Sequence, residues 1–175
     1  MSVDPNCGVA HGTAPTAGTP DRLLVVVFAS PVATMLARYG ADLGFRTVLV
    51  EPGEPEVEVP ADRTVRGFAD LAGELAPGTA DVVVTDHHRD ELGDLLRDAL
   101  GTPARWIGLM GNPRHEGPHV AALTARGVPA AEIARVHRPI GLDIGSRTPA
   151  EIAISTLAGL LADRNGRAGG FAHGG

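Results

Sequence analysis

The sequence predicts an α/β fold: a doubly wound, mostly parallel sheet of five to six strands flanked by helices. Three observations carry that reading. Apolar runs such as Leu23–Phe28 and Asp81–Thr85 are continuous rather than alternating, which marks strands buried on both faces. Segments with apolar residues at helical spacing separate these runs. Strand and helix alternate along the chain, and that order implies parallel strands joined by right-handed crossovers.

Leu23–Phe28 (LLVVVF) reads as the first strand. Val32–Leu43 carries Val32, Met35, Leu36, Tyr39 and Leu43 on one helical stripe, and Gly44 closes it. Arg46–Val50 is a second buried strand, and Thr64–Arg66 is a short edge strand. Phe68–Leu75 reads as a helix broken by Pro77-Gly78. Asp81–Thr85 (DVVVT), a helix over Glu91–Leu100 stopped by Gly101, and Arg105–Met110 (RWIGLM) follow. Val120–Arg126 is a helix closed by Gly127. Thr148–Ala162 is the last helix, with Thr148 as N-cap, Pro149 at the first position and Glu151 completing a capping box. The expected strand order is 3-2-1-4-5, in one domain over residues 21–164. Residues 1–20 and 165–175 are rich in small residues, Gly, Pro and Thr without periodicity, and read as mobile tails.

Composition narrows the function classes. The chain has 175 residues, a formal charge of −6 and a 43% hydrophobic share, enough for a core. All 15 basic residues are Arg. The acidic balance argues against a nucleic-acid or anionic-membrane surface. Aromatics are only 3%, so stacking platforms for single strands are absent. Cys7 stands alone, which excludes an internal disulfide framework and a cysteine-based metal cage. The N-terminus has no basic segment followed by an apolar run, and no stretch is long and apolar enough to span a bilayer. A cytoplasmic protein is expected.

In such a fold ligands bind beyond the carboxyl ends of the strands, near the switch point between the first and fourth. The first loop there normally carries glycines that let amides approach a pyrophosphate. Here it reads Phe28-Ala29-Ser30-Pro31-Val32-Ala33, without glycine, and Pro31 removes a donor. Glu51 ends the second strand, where an acidic residue often holds a ribose hydroxyl. NAD(P) binding is therefore the weaker expectation. Thr85-Asp86-His87-His88 follows the fourth strand; Asp86 and His87 read either as acid–base or metal-binding groups or as loop polarity. Gly111-Asn112-Pro113-Arg114 follows the fifth, with Gly111 and Asn112 suited to a tight turn and Arg114 either reaching an anion or facing solvent. His115-Glu116-Gly117-Pro118-His119 matches the zinc-protease string H-E-x-x-H, but Gly117 and Pro118 would break the helix that chemistry needs. No metal site is expected.

The segment before the last helix is the most informative. Gly141, Asp143, Gly145, Ser146, Arg147 and Thr148 stand together there. Free amides, the helix dipole and the Arg147 fork would favour an anion. Alternatively, Arg147 and Asp143 pair with each other and pin the loop.

The stretch PIGLDIGSRTPAEIAIS (Pro139–Ser155) resembles the signature of the xanthine dehydrogenase accessory protein family, XdhC/CoxI. Pro103–Gly111 (PARWIGLMG) is similar to that family's SPARYIGLLGS. The resemblance covers residues about 22–163 and implies the family's C-terminal Rossmann-like domain. It further implies a non-enzymatic accessory role: binding molybdenum cofactor and supporting its sulfuration and delivery to a molybdenum hydroxylase of the xanthine dehydrogenase or CO dehydrogenase type. Three departures stand out. The family's N-terminal domain has no counterpart here, the first-loop glycines are gone, and G-S-R-R becomes Gly111-Asn112-Pro113-Arg114. They point to a truncated paralogue, or to a subunit working with a separate N-terminal-domain protein or a sulfurase. A degenerate partner protein and a symmetric homodimer through the apolar last helix are further expectations.

Overall fold

Burial on both faces dictates the centre of the molecule. The computed structural model describes residues 21–111 and 117–170. Leu23 to Phe28 are all within 1% of complete burial, so β1 (Arg22–Val27) takes the middle of the sheet. β2 (Phe45–Val50) and β3 (Arg63–Val65) lie to one side, and β4 (Ala80–Val84), β5 (Trp106–Leu109) and β6 (Val136–His137) to the other. Every pairing is parallel, and the order is β3-β2-β1-β4-β5-β6.

Alternate residues of each strand feed two separate cores. On one face Leu23, Val25, Val27 and Val82 pack against Phe68, Leu71, Leu96 and Leu123. These come from a 3₁₀ turn (Phe68–Leu71), α2 (Leu92–Leu100) and α3 (Pro118–Thr124). α4 (Ala130–Ile133) adds Ile133 to the same face. On the other face Leu24, Val26, Val83 and Trp106 pack against α1 (Pro31–Asp42) and α5 (Pro149–Arg164) through Leu36, Ala153 and Leu157. Gly40 of α1 sits so close to β1 that a Cβ there would stand 2.8 Å from Leu24 Cδ2.

The predicted order holds for its five strands, and the structure adds a sixth. Val136–His137 is only two residues long and is flanked by Arg135 and Arg138, so it carries no apolar run to read. The segment over Phe68–Leu75 forms a single 3₁₀ turn, because Gly73 takes φ +89° and ends it. α3 begins at Pro118, which serves as its first residue rather than breaking a longer helix. The H-E-x-x-H string therefore straddles a helix start; His115 and Glu116 lie outside the described residues. So do residues 1–20, Cys7 among them, and 171–175. Beyond α5 the chain turns back: the Arg167 N–H donates to the Ala162 carbonyl at 2.8 Å.

At the amino edge of the sheet a buried carboxylate fastens α5. Asp81 on β4 is fully buried and accepts from Arg105 Nε at 2.8 Å and from Arg164 Nε at 2.5 Å. Burial pushes its carboxyl pKa up, and the two guanidinia pull it back down. Removing the carboxylate strands two partly buried arginines. Asp81→Ala should lower the unfolding free energy by about 3–5 kcal/mol in urea titration. Arg164→Met should cost less, since Arg105 still pairs with Asp81.

Candidate functional site at the carboxyl edge

The first loop is closed from within. Phe28 takes φ +71°, the conformation a glycine would normally supply at this turn. The Ala29 N–H donates to Glu51 Oε2 at 2.8 Å. Glu51 is 1% exposed, and its other oxygen accepts from the Gly53 N–H at 3.1 Å and from Arg89 Nη2 at 3.0 Å. Arg89 lies over the Phe28 ring, 4.8 Å from its centroid. Its pKa is raised, first by Glu91 and then by Glu51, so the charge is permanent. Ser30 caps α1 by accepting from the Ala33 N–H at 3.0 Å, and donates to Thr85 Oγ1 at 3.1 Å. The amides that would face a pyrophosphate are thus spent on the protein's own oxygens. Glu51, read from sequence as a ribose acceptor, holds this loop and Arg89 instead.

The Asp86–His88 loop is also partly committed. The His88 N–H donates to Asp86 Oδ1 at 2.8 Å, a local turn. The His87 and His88 rings lie 4.1 Å apart, tilted by 39°. Burial, then His88 and Arg138, lower the pKa of His87. Among the described residues no group of three or more His, Cys, Asp or Glu is placed to hold a metal.

Across the switch point the edge opens. A cleft of ≈ 730 Å³ lies between the end of β5 and the N-terminal half of α5. Gly111, Gly141, Asp143, Gly145 and Ser146 line it, with Pro139, Ile140, Ile144 and Ile152 as apolar walls and Ser155 and Thr156 at its base. The loop is stitched to α5: the Leu142 N–H donates to the Ser155 carbonyl at 3.1 Å, and Ser155 Oγ donates to the Leu142 carbonyl at 2.5 Å. Gly141 takes φ +91° and would bring a Cβ within 2.6 Å of Ser155 Oγ. The segment that looked most informative in sequence therefore does form a concave wall.

Its predicted anion cradle is corrected. Glu151 accepts from the Arg147 N–H at 2.7 Å and the Thr148 N–H at 3.1 Å, while Thr148 Oγ1 accepts from the Glu151 N–H at 3.3 Å. Those two amides are the main reason the Glu151 carboxyl lies below its usual range. The capping box fills the helix N-terminus with the chain's own anion. The alternative pairing of Asp143 with Arg147 is also absent among the described residues: both side chains are exposed and take no ion pair. Asn112 and Arg114 lie outside the described residues.

Sequence reasoning missed Arg138. Its guanidinium lies over Gly111, where a Cβ would stand 2.5 Å from Nε, and its charge lowers the pKa values of His87 and His119. The signal was an arginine immediately before Pro139, at the start of the signature. His119 is 8% exposed, its Nδ1 has no hydrogen-bond partner among the described residues, and burial is the larger cause of its lowered pKa.

The order of strands, the closed first loop and the signature-lined cleft can now be set beside known proteins. Residues 24–160 match the XdhC Rossmann domain. The chain belongs to that family. An uncharacterized protein, YqeB, of Escherichia coli K12 is 32% identical over 156 residues, covering 85% of this chain and 28% of its own length. A crystal structure of a xanthine dehydrogenase from Bacillus halodurans superposes with a TM-score of 0.66 at 27% identity, over 85% of this chain and 44% of that one. This XdhC Rossmann domain thus spans less than half the length of either relative. No helix among the described residues is long and apolar enough to cross a membrane.

Two outcomes test this geometry. Gly141→Ala forces an unfavourable φ and a clash with Ser155, and should cost about 1–3 kcal/mol in unfolding experiments. His87 and His119 both have lowered pKa values, so the unfolded chain binds protons more readily. Stability is then full above the unfolded imidazole value of about 6.5 and falls as the pH drops through it. His119→Leu should flatten that dependence between about pH 7.5 and about pH 5.5.

Proposed function

We propose that this XdhC Rossmann domain is a non-enzymatic carrier that holds molybdenum cofactor for a molybdenum hydroxylase of the xanthine dehydrogenase type. The observation that carries the reading is the cleft itself. It is built from the family's signature segment, on the side of the switch point where the loop is not filled by the protein's own groups. Its volume lies within the range of small-ligand sites, about 300–1,000 Å³.

The residues present fit an amphipathic, anionic ring ligand. Pro139, Ile140, Ile144 and Ile152 supply apolar walls, Asp143 supplies a polar group, and the buried Ser155 and Thr156 close the base. Arg147 follows the cleft-lining Ser146 and is exposed, with no ion pair among the described residues, so it is the cation for a phosphate; the plugged helix N-terminus is not. When bound, the cofactor brings the redox metal that the client enzyme uses. This chain's part is to hold the ligand and keep water from it, then release it.

The NAD(P)-dependent reading draws no support from the first loop. A dinucleotide would have to displace Arg89 from Glu51 and recover the Ala29 amide.

Untagged protein purified from a host that makes molybdenum cofactor should carry molybdenum and oxidisable pterin near one per chain. Arg147→Ala should lose both while keeping its circular dichroism spectrum. Wild-type protein devoid of pterin would overturn the carrier assignment, and an Arg147→Ala protein that retains it would overturn the role of Arg147.

A further inference from the structure

The polar groups of the cleft are not those of a simple anion site. Glu151 takes up the Arg147 and Thr148 amides, so the start of α5 offers no free anion cradle at those positions. Asp143 lines the cleft, is exposed, and has no hydrogen bond or ion pair within the described residues. Facing the cleft, this carboxylate is an acceptor that a bound ligand's N–H donors can reach in place of water. Around it the walls are apolar, and Ile144 is 54% exposed, a large side chain left facing solvent. An apolar slot with one free carboxylate suits a flat heterocycle that covers the aliphatic walls and presents donors at its edge.

We infer that Asp143 is the specificity-determining acceptor of this cleft, and that it pairs with a 2-amino-4-oxo pyrimidine edge, the edge shared by pterins and guanine. The inference rests on the carrier reading for the location of the site and adds the direction in which the ligand lies. The 2-amino group and the adjacent ring N–H are two parallel donors, spaced to meet both oxygens of a carboxylate, as a guanidinium does. Adenine places an unprotonated ring nitrogen beside its amino group, so one of the two bonds becomes a repulsion between lone pairs. Sites built to hydrogen-bond a particular edge discriminate strongly, because the mismatched ligand leaves a desolvated polar group unpaired. With the ring edge at Asp143, the phosphate end is left for the exposed Arg147.

The test uses free pterin, GMP and AMP with the full chain, read by pterin fluorescence and by titration calorimetry. Wild-type protein should bind pterin and GMP at least about tenfold more tightly than AMP. Asp143→Asn should lose that preference, and Asp143→Glu should restore part of it. Neither change should move the unfolding midpoint, since Asp143 has no partner to lose among the described residues. Tighter binding of pterin than of GMP identifies the pterin as the ligand the acceptor serves; the reverse order identifies a guanine nucleotide. Equal affinity for AMP in wild type, or wild-type preference in Asp143→Asn, overturns the assignment. If molybdenum and pterin co-purify equally with wild type and Asp143→Asn, the carrier stands and Asp143 is not its reader. Wild-type protein that binds none of the three ligands and co-purifies with no pterin overturns both.

Discussion

The buried carboxylate of Glu51 decides where chemistry can happen in this domain. It sits at the end of β2, almost wholly removed from water, and a buried charge must be paired and hydrogen-bonded to be tolerated. Its partners are the Ala29 amide, the Gly53 amide and the Arg89 guanidinium. Each of them belongs to a loop that would otherwise face a dinucleotide. The same contacts hold Phe28 in a left-handed conformation with Arg89 over its ring. Satisfying Glu51 and keeping a pyrophosphate cradle are incompatible demands on one loop. Concavity is left to the other side of the switch point, where β5, β6 and α5 diverge.

There the architecture repeats the same theme with a different result. Glu151 caps α5 much as Glu51 caps the first loop, by turning a carboxylate onto backbone amides. The two acids consume the anion-binding capacity that parallel α/β folds usually present at this edge. What lines the open side is side-chain chemistry: Asp143, Ser146, Ser155 and Thr156 among apolar walls. That set is poorly suited to a nucleotide gripped by its pyrophosphate.

Stability and site are coupled through α5. Its amino end forms the cleft wall through Ser155 and Leu142, and its carboxyl end is anchored by Arg164 on buried Asp81. Between them Ala153 and Leu157 pack on the sheet. Weakening the Asp81 anchor therefore loosens the element that shapes the cleft, although Asp81 lies at the opposite edge of the sheet. Folding defects at that edge would reach the ligand site without touching it.

Much of this was legible in the sequence. Continuous apolar runs fixed five strands and their order, since only strands buried on both faces can dispense with polar alternation. Thr148, Pro149 and Glu151 marked the start of α5 because capping is a local interaction between residues close in sequence. The signature segment pointed to the right loop. The two-residue β6 was not legible, because its pairing with β5 is non-local and leaves no periodic trace. Nor was the fate of the charges. Glu51 meets Arg89, Arg138 meets Gly111, and Asp143 fails to meet Arg147 only once the loops are set side by side by the sheet. Local sequence determines which backbone forms. Which polar group satisfies which, and so which groups stay free for a ligand, is decided by contacts between residues far apart in the chain.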